Sequence, residues 1–280
     1  MPFNYRVMLP VIVVFFLISC GSEQAENQSN ALVGKLIITG SSTIAPLASE
    51  LAKEFEKSNP SVKVDVQTGG SSRGIADVKR KVSQIGMISR TLKASESDLD
   101  GHVIAKDGIS IIVHKDNPVN SLTSDQVKAI FRGDISHWRS INGNDEKITV
   151  INKAEGRSTL EVFLDFFHLR NREIKPDIII GDNEQGIKLV SLNKNAIAYV
   201  SIGTAEYSTH LGIKIKTIAL DDVKATTANL INGTFPLSRE LSFITHGERS
   251  KLASAFLDYS LSPAAFNTIK EFGFVPIDTR

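Results

Sequence analysis

Cysteine is nearly absent: Cys20 is the only one in 280 residues. That excludes a disulfide framework, and a single thiol so near the start leaves no thiolate cluster for a metal. Histidine is sparse too. The six lie far apart in the chain with no i, i+4 pair, so they mark no metal site. No basic run and no interleaving of basic and aromatic residues marks a nucleic-acid surface, and the formal charge is only +1. No repeat of fixed period occurs. One long apolar run exists, Val7 to Ile18, and it is too short to span a bilayer comfortably.

That run has another reading. It follows Arg6 and stops at Leu17-Ile18-Ser19-Cys20-Gly21. An apolar core closed by an aliphatic residue, a small residue and cysteine resembles a bacterial lipoprotein signal. The expectation is a signal peptide over 1–20, with Cys20 lipidated. Residues 21–34 begin GSEQAENQSN, which is too polar to bury a core, and are expected to be a flexible tether.

What the remaining chain has in quantity is one local pattern. Three times a β-like stretch enters a cluster of small polar residues and then an amphipathic helix. The clusters are Gly40-Ser41-Ser42-Thr43, Gly69-Gly70-Ser71-Ser72 and Lys153-Ala154-Glu155-Gly156-Arg157-Ser158-Thr159. Each is a candidate anion seat, because the first N–H groups of a helix have no intrahelical partner and carry partial positive charge. Thr43 and Thr159 equally suit simple N-caps, and Lys153 and Arg157 equally suit solvated surface positions.

Apolar residues at Ile44, Leu47, Ala48, Leu51, Ala52 and Phe55 predict the first helix. Further helices are predicted after Ser72 and Thr159 and over 124–131, 183–192 and 249–261. Strands are predicted over 62–66, 84–88, 109–114, 148–151, 177–180, 196–200, 213–218 and 241–245. Strands alternating with helices argue an α/β fold with mainly parallel sheets.

These clusters stand in order with Ile85-Gly86-Met87-Ile88-Ser89-Arg90, Asp107-Gly108-Ile109 and Lys115-Asp116-Asn117-Pro118. Ile130-Phe131-Arg132-Gly133 with Trp138, Ala196-Ile197-Ala198-Tyr199-Val200-Ser201 and Gly273-Phe274-Val275-Pro276 follow. The set resembles the periplasmic phosphate-binding proteins of ABC importers, the PstS-like group of type II periplasmic binding proteins, over nearly the whole chain after Leu36. The resemblance implies a two-lobed α/β fold with two crossover segments and a ligand cleft between the lobes. The crossovers are expected near 111–118 and 236–243, giving one lobe from 35–114 with 241–280 and a second from 115–240.

It also implies a function: a lipid-anchored, exported, monomeric solute-binding protein that captures inorganic phosphate for a permease and ATPase complex. It implies no enzyme activity and no cofactor. Carried over by position, the phosphate-binding residues are Thr43, Ile44 (through its N–H), Ser71, Ser89, Arg90, Lys153, Gly156, Arg157, Ser158 and Thr159. Better-known members have an aspartate about where Arg90 stands, which accepts the proton of hydrogen phosphate, and often an arginine where Lys153 stands. Glu155, Asp77 and Asp182 are the remaining acceptor candidates, and Arg90 alternatively pairs with Glu96 or Asp98. Two other functions stay open: a phosphate or oxyanion sensor or surface interaction protein without transport, and a serine hydrolase using Gly70-Ser71-Ser72-Arg73-Gly74, which matches G-x-S-x-G.

Overall fold

The computed structural model describes Met1 and residues 31–277; the expected signal peptide, Cys20 and most of the tether lie outside the described residues. The chain from Leu32 onward forms one compact unit. Its strands are β1 (Gly34–Gly40), β2 (Val62–Thr68), β3 (Ile85–Ile88), β4 (Asp100–His114), β5 (Ser121–Leu122), β6 (Thr149–Lys153), β7 (Ile178–Ile180), β8 (Ala196–Ser201), β9 (Ile215–Leu220), β10 (Ser238–Thr245) and β11 (Val275–Pro276). The helices are α1 (Ala45–Ser58), α2 (Ser71–Lys79), α3 (Ser124–Arg132), α4 (Ser158–Phe167), α5 (Asn183–Leu192), α6 (Ile202–His210), α7 (Thr227–Ile231), α8 (Lys251–Leu261) and α9 (Phe266–Glu271).

The main strand order is β2-β1-β3-β10-β4-β8-β6-β7. In the first lobe β1 lies parallel between β2 and β3, and β10 runs antiparallel to both β3 and β4. Leu36, Ile38, Leu47, Leu51, Phe55, Phe243 and Phe256 form its core. In the second lobe β8 pairs with the far half of β4 and lies parallel to β6, which pairs with β7. All six β8 residues are buried, as expected of a strand covered on both faces. Ile197 and Tyr199 face a core with Phe131, Trp138 and Phe163, whereas Ala198 and Val200 face one with Ile187 and Val190. This is the two-lobed type II periplasmic-binding-protein fold.

The crossover is not where the sequence placed it. β4 starts at Asp100, well before the predicted 109–114, because Lys106 and Asp107 interrupt the apolar pattern that would have announced it. Residues 100–108 pair with β10 in the first lobe and 109–113 pair with β8 in the second, so the chain crosses at Gly108/Ile109 rather than within 111–118. On the return, Leu237 belongs to the core with Phe131, Trp138 and Phe163, and Ser238 begins β10.

One close approach sets the first two anion-seat clusters side by side. Gly74, in the second turn of α2, sits against the ends of β1 and β3. A Cβ there would lie 2.9 Å from the Thr39 carbonyl oxygen, 3.0 Å from that of Met87 and 3.1 Å from the Gly40 Cα. Alanine at this helical position gains about 1 kcal/mol of intrinsic propensity. Pushing rigid backbone apart costs about 1–3 kcal/mol. Gly74→Ala is therefore expected to be net destabilising, read as a lower denaturation midpoint of the full chain; a rise in the midpoint would contradict this packing.

Candidate functional site

The helices that start at the three clusters share a feature that the other long helices lack. α1, α2 and α4 begin at Ile44, Gly70 and Arg157, and none has a side-chain cap. By contrast α3, α5, α6 and α8 are capped by Thr123, Asp182, Ser201 and Ser250. Capping by a side-chain oxygen is worth about 1 kcal/mol. Neither Thr43 nor Thr159 acts as an N-cap, and their hydroxyls serve the cleft instead. The Ile44 N–H makes no hydrogen bond among the described residues.

A hydroxyl network joins the first two clusters. Ser41 Oγ donates to Ser89 Oγ at 3.0 Å, and Ser41 Oγ accepts the Thr43 N–H at 3.2 Å. The Ser89 N–H donates to Ser71 Oγ at 3.2 Å. The third cluster meets them across the cleft, where the Ser72 N–H donates to the Gly156 carbonyl at 3.3 Å. A Cβ on Gly70 would fall 2.6 Å from that same carbonyl oxygen, so this contact between lobes tolerates no side chain there.

Arg239 on β10 binds these parts together. Its Nε and Nη2 donate to Asp107 Oδ2 at 2.9 and 2.7 Å. Its Nη1 donates to Thr159 Oγ1 at 2.9 Å and Ser89 Oγ at 3.4 Å, and Nη2 donates to Thr43 Oγ1 at 3.3 Å. The two charged side chains are 1% and 0% exposed. Asp107 Oδ1 accepts from Ser201 Oγ at 3.0 Å and from the Gly203 N–H at 3.5 Å, so both its oxygens are engaged by the protein. Sequence reasoning assigned no role to Arg239 and quoted Asp107 only as a marker. The signal was there: Leu237, Arg239, Leu241 and Phe243 share one strand parity, which places a cation in an apolar stripe.

Lys153 ends β6 and is buried. Its Nζ donates to the Asp182 carbonyl at 2.6 Å and to Asn183 Oδ1 at 3.1 Å. Asn183, also buried and also missed in the sequence, donates through Nδ2 to Thr43 Oγ1 at 3.4 Å and thus links the lobes. Burial lowers the Lys153 pKa to about 7, opposed by Asp182 and Glu184 and reinforced by the cations Arg239 and Arg157. The Arg157 guanidinium makes no hydrogen bond or ion pair among the described residues. Ser158 Oγ is buried and has no hydrogen-bond partner. Gly156 takes a left-handed conformation, with φ 78°.

Arg90 pairs with Glu96, the first of the two acids named for it as an alternative to anion binding. Its guanidinium is bound by Glu96 through two 2.8 Å hydrogen bonds, by the Thr91 carbonyl at 2.9 Å and by Glu161 at 3.0 Å. Carboxylates thus neutralise Arg90 locally, and its ion pair with Glu161 of α4 joins the lobes, while its buried Nε has no hydrogen-bond partner. Asp98 pairs with Lys79. The proposed acceptors are also committed elsewhere: Asp77 to Arg73, Glu155 to Asn171, and Asp182 to capping α5. Ser72 of the G-x-S-x-G match is exposed and bonds to no histidine. Among the described residues no three His, Cys, Asp or Glu side chains gather as a metal site.

Cations, uncapped N–H groups and hydroxyls outnumber free acceptors here, an arrangement that can replace the hydration shell of a small oxyanion. The comparisons agree. A family model described as a PBP superfamily domain matches residues 25–264. The chain is 28% identical to the phosphate-binding protein PstS of Bacillus subtilis over 290 aligned positions, covering 98% of this chain and 94% of that protein. A phosphate ABC transporter substrate-binding protein from Clostridium perfringens, solved with bound phosphate, superposes with a TM-score of 0.81 at 30% identity, covering 88% of this chain and 100% of that one. An ABC-type phosphate transport receptor from Vibrio cholerae gives 0.70 at 28% identity, covering 87% and 100%. The chain belongs to the PBP superfamily, in its PstS-like group. It is a solute-binding protein, not an enzyme.

Removing one partner of a buried ion pair strands the other charge, at a cost of about 3–5 kcal/mol. Arg239→Met is expected to lose stability on that scale, and the double variant Asp107→Leu/Arg239→Met to recover most of it in chemical denaturation. A double variant no more stable than the single would mean that Asp107 is not held by Arg239.

Proposed function

We propose that the chain is a lipid-anchored receptor that captures inorganic phosphate and passes it to an ABC permease and ATPase complex. It acts as a monomer, exported and facing the periplasm or the exterior. The observation that carries this reading is the convergence of three uncapped helix N-termini on buried Arg239 and Lys153 with the unpartnered Ser158 hydroxyl. The phosphate-binding relatives support the choice of anion. Thr43, Ser71, Ser89, Lys153, Arg157, Ser158, Thr159 and the N–H groups of Ile44 and Gly156 are the proposed contacts, with Arg239 added and Arg90 removed.

Magnitudes decide which groups matter. A micromolar Kd corresponds to about −8 kcal/mol. Three helix ends at roughly 0.3–1 kcal/mol each cannot supply it. Charge-assisted bonds at roughly 1.5–3 kcal/mol each must contribute most of the remainder. Arg157, with no internal partner to give up, is the cation best placed to add such a bond. Arg157→Ala is expected to weaken phosphate binding about tenfold or more. Calorimetric titration of the full chain in detergent with phosphate, arsenate, sulfate and molybdate tests the reading. Phosphate and arsenate are expected to bind most tightly; sulfate or molybdate in first place would sink the choice of anion, and unchanged affinity in Arg157→Ala would remove that residue from the site.

No helix among the described residues is long and apolar enough to cross a membrane. The anchor proposed is lipid on Cys20, on the strength of the Leu17-Ile18-Ser19-Cys20-Gly21 pattern that closes the apolar run. Cys20→Ser is expected to leave unprocessed chain that no longer carries label from radioactive palmitate; label retained in that variant would place the lipid elsewhere.

A further inference from the structure

A hydroxyl carries one hydrogen and two lone pairs, so what its neighbours donate decides where its own hydrogen can go. A guanidinium has five N–H donors and no acceptor. All five of Arg239 are taken inside the protein. Nε and Nη2 serve Asp107, Nη2 also serves Thr43 Oγ1, and Nη1 serves Thr159 Oγ1 and Ser89 Oγ. No N–H of Arg239 is left to turn to an anion while these bonds hold.

The three hydroxyls that meet Arg239 can only accept from it. Thr43 Oγ1 also accepts from Asn183 Nδ2 at 3.4 Å, and the Oδ1 of that amide is held by Lys153 Nζ at 3.1 Å. Both lone pairs of Thr43 Oγ1 are thereby filled. Ser89 Oγ accepts from Ser41 Oγ at 3.0 Å as well as from Arg239, which fills both of its own. Thr159 Oγ1 accepts from Arg239 at 2.9 Å, the shortest of the three. All three residues are buried. Among the described residues none of the three hydroxyls donates to a protein acceptor. Their hydrogens are the part of this network that the protein does not use.

We propose that Arg239 is a positioning residue for anion capture: by donating to Thr43, Ser89 and Thr159 it turns their O–H hydrogens toward the ligand. This rests on the phosphate-receptor reading above. The place of Arg239 among the contacts is then indirect, and what it supplies is direction. Donors already aimed need no rearrangement when the anion arrives, whereas a free hydroxyl must first give up whatever internal acceptor it has found. Arg239→Lys separates direction from charge. A lysine keeps the positive charge beside Asp107, but its three hydrogens on one nitrogen form no planar fork to span three hydroxyls.

A residue that acts through others must be coupled to them. Calorimetric titration of the full chain in detergent with inorganic phosphate is run on the native chain, Arg239→Lys, Thr159→Val and their double variant. Each single change is expected to weaken binding about tenfold or more. In the Arg239→Lys background Thr159→Val is expected to cost about threefold or less, because the hydroxyl is no longer aimed. Ser71, which accepts the Ser89 N–H and does not meet Arg239, is the control: Ser71→Ala is expected to keep its full effect in that background. Circular dichroism confirms the fold of each variant. If Arg239→Lys does not fold, the same cycle is run on Asp107→Leu/Arg239→Met, which replaces the buried pair as a unit. Losses at Arg239 and Thr159 that simply multiply, Arg239→Lys binding as tightly as the native chain, or a Ser71→Ala effect that vanishes as well, each overturn the proposal and leave the receptor reading standing. No phosphate binding by the native chain overturns both.

Discussion

Taking a guanidinium and a carboxylate out of water together costs several kcal/mol per ion, recovered only when geometry is good and every remaining donor and acceptor is satisfied. Arg239 and Asp107 meet that condition in full. Asp107 Oδ2 holds Arg239, while Oδ1 is met by Ser201 and Gly203 at the start of α6. The demand for satisfaction fixes the surroundings. The spare donors of Arg239 require oxygens, and Thr43, Ser89 and Thr159 supply them from three different elements. One desolvated cation therefore specifies where β1, β3, β10 and α4 end relative to one another.

The same logic separates the arginines. Arg239 has a single carboxylate partner and hydroxyls for its remaining N–H groups, so its positive field is only partly cancelled within the cluster. Arg90 lies between two carboxylates and contributes closure instead of field, with Lys93 reinforcing it at Glu161. Arg157 has no partner. Residues of one chemical type thus serve as scaffold and latch and, on the function proposed, as ligand donor, and what sorts them is the count of acceptors around each.

The local part of this design was legible in the sequence. β-branched runs announced most strands, and the small polar clusters announced the helix starts that lack caps. Helix α6 was not foreseen because its buried residues, Ile202, Gly203, Ala205 and Ser208, are mostly small or polar and leave no apolar stripe to read. The partners of Arg239 were hidden for a different reason. Asp107 and Arg239 are 132 positions apart, and nothing local to either tells that the chain brings them together. For Arg90 the nearby Glu96 was legible as a partner, but Glu161, 71 positions on, was not, because a family position says where a residue sits along the chain and not which distant acids fold around it. The early start of β4 was masked by Asp107, the same residue whose burial the ion pair makes tolerable.

Gly108 and Ser238, paired across the β4–β10 ladder, mark the place where the two connections pass between lobes. Asp107 and Arg239 are their immediate neighbours. A rotation that parts the lobes moves each atom in proportion to its distance from the axis, and an axis through the crossovers passes close to this ion pair. The pair then behaves as a fixed post, keeping its buried charges together through the motion. Ser158, Thr159 and Lys153 lie on the other lobe, so such a rotation would part Thr159 from Arg239 and Asn183 from Thr43. On the function proposed, an arriving anion would meet a half-built cradle whose charge is already in place, and what it would have to organise is the other wall.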